Sequence, residues 1–201
     1  GGLLIAHLVF AQGVRTAAIQ GVVAGALIAV LAVVTKASVG QFLVNAMTWW
    51  LPVFVLAALA RRWRSLPLAL QVSVIIAMAT TIGFYVVLGD PTGYWNETIA
   101  TSIELARQAG LYEQADMLSE SQSVIAPQMT MLFVFTVWTF YVLVLLAGYA
   151  LFQALPGMRA AHGRFGDLNL GRVLATIMAI ASIGAMLTGW VWLQNLGFVA
   201  F

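Results

Sequence analysis

Long apolar runs dominate this chain and limit what it can fold into. Five of them reach the length of a membrane span, at residues 16–35, 42–60, 66–88, 129–151 and 173–193. A helix of about 20 mostly apolar residues crosses the hydrocarbon core of a bilayer. Closed barrels also satisfy the backbone in lipid, but these runs lack strand alternation and are about twice the length of a barrel strand. The sequence therefore predicts an all-α, polytopic transmembrane helical bundle.

A shorter apolar run, 3–11, stands before these five. We interpret it as the end of a sixth span, so the prediction is about six spans with the first one partial. The chain is 62% hydrophobic and only 8% charged, whereas soluble proteins carry about 25% charged residues. Both termini lie in apolar sequence, so we expect 1–201 to be a single transmembrane domain from a longer chain.

The basic residues indicate an orientation. All of them except Lys36 and Arg107 fall on one predicted side of the membrane. Lys and Arg in short loops stay cytoplasmic. For a bacterial inner membrane, this places the loops around 61–65 and 156–172 on the cytoplasmic side and 89–128 on the outer side. Arg61, Arg62 and Arg64 are interpreted as topology anchors. Binding of a phosphate or lipid headgroup by the same cluster is an alternative.

The outer segment 89–128 holds most of the acidic residues. Apolar residues spaced like those at Ile99 and Ile103 predict an amphipathic helix over 99–112, with Glu104 on its wetter side. Residues 119–123 are interpreted as a loop. The helix is either a lid over a cavity in the bundle or a connection that lies on the bilayer surface.

Little in the sequence supports chemistry. The complete spans contain no Asp, Glu, Lys, Arg or His away from their ends, cysteine is absent, and His7 and His162 lie far apart. Catalytic, metal and phosphate-binding motifs are missing as well. We therefore expect no catalytic residue, no metal, no cofactor and no enzymatic activity. The few scattered charges predict no nucleic-acid partner. Membrane lipid is the expected environment, and other membrane protein subunits are candidate partners.

Uncharged polar and aromatic residues near the outer ends of the spans could form a ligand pocket. The candidates are Asn45, Trp49, Tyr94, Trp95, Gln194 and Asn195. Asn45 and Gln71 carry amides, which are unfavourable in lipid, and both are expected to face the bundle. The alternative is an aromatic belt at the membrane interface with amides that cap helix ends.

Small residues repeat at every fourth position of the run 16–35. They are Ala17, Gly21, Gly25 and Ala29, which we call the small-residue stripe. Such a stripe lets another helix backbone approach closely. The sequence leaves open whether that helix belongs to this chain or to a partner protein.

The chain resembles the YybS-type bacterial membrane proteins, which are themselves similar to the S components of energy-coupling-factor transporters. The resemblance rests on the number of spans, the small-residue stripe, the loop RRWR at 61–64 and the segment FGDLNLGR at 165–172. It implies that the early helix docks a shared membrane subunit and that a small molecule enters from outside under the outer loop. We therefore expect a small-molecule-binding S component; the alternative is a structural or assembly subunit that binds no ligand.

Overall fold

The computed structural model describes residues 1–36, 38–155 and 171–200. Over these residues it contains α-helices and no β-strand. The helices are α1 (Gly2–Gln12), α2 (Val14–Val34), α3 (Val39–Trp63), α4 (Leu66–Leu88), α5 (Pro91–Gln108), α6 (Tyr112–Ile125), α7 (Met129–Gln153), α8 (Gly171–Thr188) and α9 (Val191–Ala200). A 3₁₀ turn, Ala126–Gln128, joins α6 to α7. The predicted all-α bundle is confirmed.

Four helical segments of the described chain are long and apolar enough to cross a membrane. They are Val14–Val34, Val39–Trp63, Leu66–Leu88 and Tyr112–Gln153, the last of which contains α7. These segments coincide with four of the predicted spans, whereas α1 has only 11 residues. The chain is thus a helical membrane protein.

The run 173–193 was expected to form one span, and that prediction is wrong. Helix α8 ends at Thr188, Gly189 adopts a φ of 66°, and α9 begins at Val191. Glycine tolerates this left-handed conformation, which commonly ends a helix. The two helices pack together, and a Cβ on Gly184 would lie 3.4 Å from the Leu193 side chain. Average hydrophobicity does not detect such a break, because apolar residues continue on both sides of the glycine.

The chain divides into two compact units. The first comprises Gly1–Ser73 and Thr139–Leu170, of which 156–170 lie outside the described residues. Its core joins α1, α3, the start of α4 and the end of α7. Phe10 lies at its centre, with ring centroids 5.1 Å from Tyr149 and 5.8 Å from Phe152.

Within the first unit, α1 packs directly onto α7 at Gly148. A Cβ at this position would lie 2.5 Å from the Ala6 Cβ and 3.3 Å from the Leu3 carbonyl oxygen. Carbon atoms in favourable contact are about 3.5–4.0 Å apart. The close approach of these helices therefore depends on a glycine.

The second unit comprises Val74–Trp138 and Gly171–Phe201. Its largest buried cluster joins Trp95, Ile99 and Ile103 of α5 to Ala115 of α6 and to Ala126. Ile99 and Ile103 are buried and Glu104 is exposed, so the predicted amphipathic face is confirmed.

The predicted loop at 119–123 is instead part of α6. Gly110, with a φ of 80°, separates α5 from α6, and the two helices pack together. Gln122 stabilises this arrangement, since its Nε2 donates to the Asn96 carbonyl oxygen at 3.0 Å. Serine has a modest helix propensity, and tertiary contacts of this kind override it.

Candidate functional site

Two of the predicted ligand-binding residues, Asn45 and Trp49, lie on α3 in the first unit. Both side chains are exposed. The Asn45 side-chain oxygen accepts a hydrogen bond from Gln41 at 3.3 Å. The Trp49 ring contacts Phe140 edge-on, with centroids 5.0 Å apart. This end of α3 therefore carries an aromatic cluster. The expectation that Asn45 faces the bundle is wrong, because its exposed amide bonds within its own helix.

Tyr94 and Trp95 lie near the start of α5 in the second unit. Trp95 is buried, and its indole Nε1 donates to the Thr130 hydroxyl at 2.8 Å. Its ring stacks on Phe84 with centroids 6.1 Å apart. Tyr94 is exposed and contacts the Trp95 ring edge-on at 5.1 Å. The only hydrogen-bond donor of the Trp95 side chain is therefore used inside the unit.

Gln194 and Asn195 lie side by side on α9, and their environments differ. Gln194 is exposed, whereas Asn195 is 3% exposed. The Asn195 Nδ2 donates to the Tyr85 hydroxyl at 2.5 Å and to the Pro127 carbonyl oxygen at 3.0 Å. These bonds tie α9 to α4 and to the 3₁₀ turn. A buried amide in a membrane protein requires hydrogen-bond partners, and the Asn195 side chain has two.

The six predicted residues thus fall into both units. Asn45 and Trp49 belong to the first, and the remaining four belong to the second. Within the second unit, the Trp95 and Asn195 side chains are both anchored close to the start of α7, at Thr130 and Pro127. A ligand site formed by the whole set stays a prediction.

The small-residue stripe lies in the first unit and lines a groove. Ala17, Gly21, Gly25 and Ala29 form one wall, and α3 residues from Leu43 to Phe54 form the other. The groove has a volume of about 500 Å³, and none of its lining residues is charged. It is apolar along its whole length, as a surface that receives a helix or another apolar group would be.

The glycines of the stripe have room around them. A Cβ on Gly21 or Gly25 would meet no heavy atom of the described chain within 4 Å, apart from the local helix backbone. Gly148, in contrast, is in tight contact with α1. The close helix contact in the first unit therefore depends on an isolated glycine of α7, which the spacing analysis did not single out.

Arg61 has a structural role that the charge pattern did not reveal. Its Nη1 donates to the carbonyl oxygens of Val9 and Phe10, at 2.6 and 2.5 Å. These carbonyls lie in the last turn of α1, where a positive charge is favourable. The Val9 oxygen also accepts from the Gly13 backbone N–H at 3.2 Å. Arg62 and Arg64 are exposed. One of the three predicted topology anchors therefore holds α1 against the end of α3.

Comparison with known proteins gives no match for this chain: no protein-family model matches it, and no curated protein or solved structure shows significant similarity to it. Within the described residues, no group of three His, Cys, Asp or Glu side chains is placed to hold a metal ion. The groove beside the stripe and the arginines near its end are the features that bear on function.

Proposed function

We propose that this chain is a non-enzymatic subunit of a bacterial inner-membrane complex, which receives a transmembrane helix of a partner protein in the groove between α2 and α3. The groove carries the proposal. Its walls are apolar, and the glycines at Gly21 and Gly25 are not in tight contact with the described chain. In lipid, helices associate by close packing rather than by hydrophobic transfer, so small residues mark the surfaces where they meet.

The exposure of α2 supports the same proposal. Among its 21 residues, only Ala17 and Ala32 are buried. A helix that packs so little within its own unit contributes few contacts to the fold of that unit. Its small-residue face is therefore available for a partner, which would bury a continuous apolar surface.

This role agrees with the resemblance to S components, in which an early helix docks the coupling subunit. It applies equally to a structural or assembly subunit, because both types of protein dock a membrane partner. Small-molecule binding by the outer residues is the additional property that an S component requires. Trp95 and Asn195 would offer no free side-chain donor to a ligand, because their donors already have partners inside the second unit.

The test is Gly25→Leu in the full chain. Since a Cβ on Gly25 meets no heavy atom within 4 Å, the variant should fold, with an unchanged sizing profile and thermal melt. The leucine fills the groove, so partners captured by cross-linking in native membranes should be lost. Gly83→Leu on α4 is the matched control, because a Cβ there also has free space. A Gly25→Leu variant that keeps all its partners would refute the proposal.

The orientation is tested independently with single cysteines, since the natural chain has none. Trp63→Cys should resist a membrane-impermeant thiol reagent in intact cells, and Ser123→Cys should react. Both positions are exposed. Labelling at position 63 from outside would reverse the proposed topology.

A further inference from the structure

One end of the first unit gathers several cations. Arg61 bonds to the last turn of α1, and a Cβ on Gly13 would lie 3.4 Å from the Arg61 Nη2. The turn between α1 and α2 therefore lies against the end of α3. Arg15 is the second residue of α2, Arg62 lies in the last turn of α3, and Arg64 caps that helix. Arg15, Arg62 and Arg64 thus lie at the same end of the first unit as Arg61.

Among the described residues of the first unit, no carboxylate balances the charges at this end. The described residues of the first unit contain four arginines and one lysine but no Asp or Glu. Arg61 is occupied by backbone carbonyls, whereas Arg15, Arg62 and Arg64 are exposed. Among the described residues the three exposed guanidinium groups therefore have no anionic partner, and they are available to an anion from outside the chain.

The surroundings indicate what kind of anion fits. Trp63, at the same end, is 43% exposed. The α2 side chains that follow Arg15 outside the groove include Ile19 and Val23, which are 55% and 54% exposed. An exposed tryptophan beside cations and aliphatic surface is typical of the membrane interface. From this arrangement we infer that Arg15, Arg62 and Arg64 bind the phosphate headgroup of an anionic phospholipid, whose acyl chains lie along α2. Guanidinium groups match phosphate oxygens in pairs, which favours arginine at such a site.

The test uses the purified, delipidated chain and two defined lipids, dioleoylphosphatidylglycerol and dioleoylphosphatidylcholine, with bound lipid counted by native mass spectrometry. The chain should bind dioleoylphosphatidylglycerol more tightly than dioleoylphosphatidylcholine. Binding of the first molecule of the anionic lipid should reach saturation as its concentration rises. Replacing Arg15, Arg62 and Arg64 by glutamine should weaken this binding about 100-fold, at about fivefold for each arginine. Arg15→Gln alone should weaken it about fivefold.

The control variant replaces Lys36 and Arg107, which lie outside this cluster, by glutamine, and it should keep the preference. Equal binding of the two lipids by the natural chain would overturn the inference, as would a control variant that loses as much as the triple variant. Displacement of the lipid by an equal concentration of inorganic phosphate would show a free-phosphate site instead. Far-UV circular dichroism verifies that the triple variant remains folded, as expected because Arg61 is unchanged.

Discussion

Replacing Gly148 with alanine adds one methyl group to the contact between α7 and α1. The new Cβ would lie 2.5 Å from the Ala6 Cβ and 3.2 Å from the His7 backbone nitrogen. The first distance is about 1 Å shorter than a favourable carbon contact. Because α1 presents its backbone here, a change of side-chain rotamer cannot relieve the overlap. The two helices must therefore separate, and the contacts of Phe10 with α7 loosen.

We expect Gly148→Ala to lower the free energy of unfolding by about 1–3 kcal/mol, the usual effect of overpacking a tight core. Unfolding in mixed micelles by titration with sodium dodecyl sulfate, followed by far-UV circular dichroism, measures this change. Gly83→Ala is the control, since its Cβ has free space. That change should be neutral or stabilising by up to about 1 kcal/mol, because alanine has the higher helix propensity.

A second substitution examines the cause. Ala6→Gly removes the atom that lies 2.5 Å from the new methyl group but leaves the backbone contacts at 3.2 and 3.3 Å. In the double variant it should therefore recover part of the loss, with a coupling of about 1 kcal/mol. If Gly148→Ala unfolds like the natural chain, or if Gly83→Ala loses as much stability, the close contact of α1 with α7 is not what the structure indicates.

Three further changes have specific expected outcomes. Arg61→Gln should destabilise the first unit by about 1–3 kcal/mol in the same titration, because buried carbonyls of α1 lose a charged donor, whereas Arg62→Gln should have little effect. Trp95→Phe should lower the unfolding free energy of the chain by about 1 kcal/mol, because it removes the indole donor and leaves a hydroxyl unpaired. At the start of α5, the backbone N–H of Thr92 donates to the Asp90 carboxylate and lowers the pKa of that carboxyl below its usual value of 3.8. The contribution of Asp90 to the free energy of unfolding is therefore present above pH 3.8 and is lost as the pH falls through the lowered pKa. Asp90→Asn should flatten this part of a curve of stability against pH.

The sequence predicted those parts of the fold that depend on summed properties. Four spans follow from apolar length, and the buried face of α5 follows from the spacing of Ile99 and Ile103. The missed features depend on single residues in particular conformations. Gly189 ends α8 within an apolar run, and the Gln122 bond to α5 holds residues 119–123 in a helix. No average over a window contains that information.

The candidate residues show a similar division. The Asn45 amide, which was expected to face the bundle, is exposed, whereas the Asn195 amide is buried with two hydrogen bonds. Its partners, Tyr85 and Pro127, are far from it in sequence and could not be identified without the fold. For Arg61, the charge pattern indicated a position at the end of a span. Its bonds to α1 depend on the packing of α1 against α3, which a count of charges does not contain.

The two kinds of glycine contact separate folding from the proposed docking function. Gly148 lies in a contact that leaves no space for a methyl group, so its replacement should disturb the fold of the first unit. Gly25 faces an apolar groove and has space for a larger side chain, so its replacement should leave that fold intact. If the stripe served only to bring α2 and α3 together, Gly25→Leu would destabilise the chain as Gly148→Ala does. A folded Gly25→Leu that has lost its partner would instead show that the stripe acts between proteins.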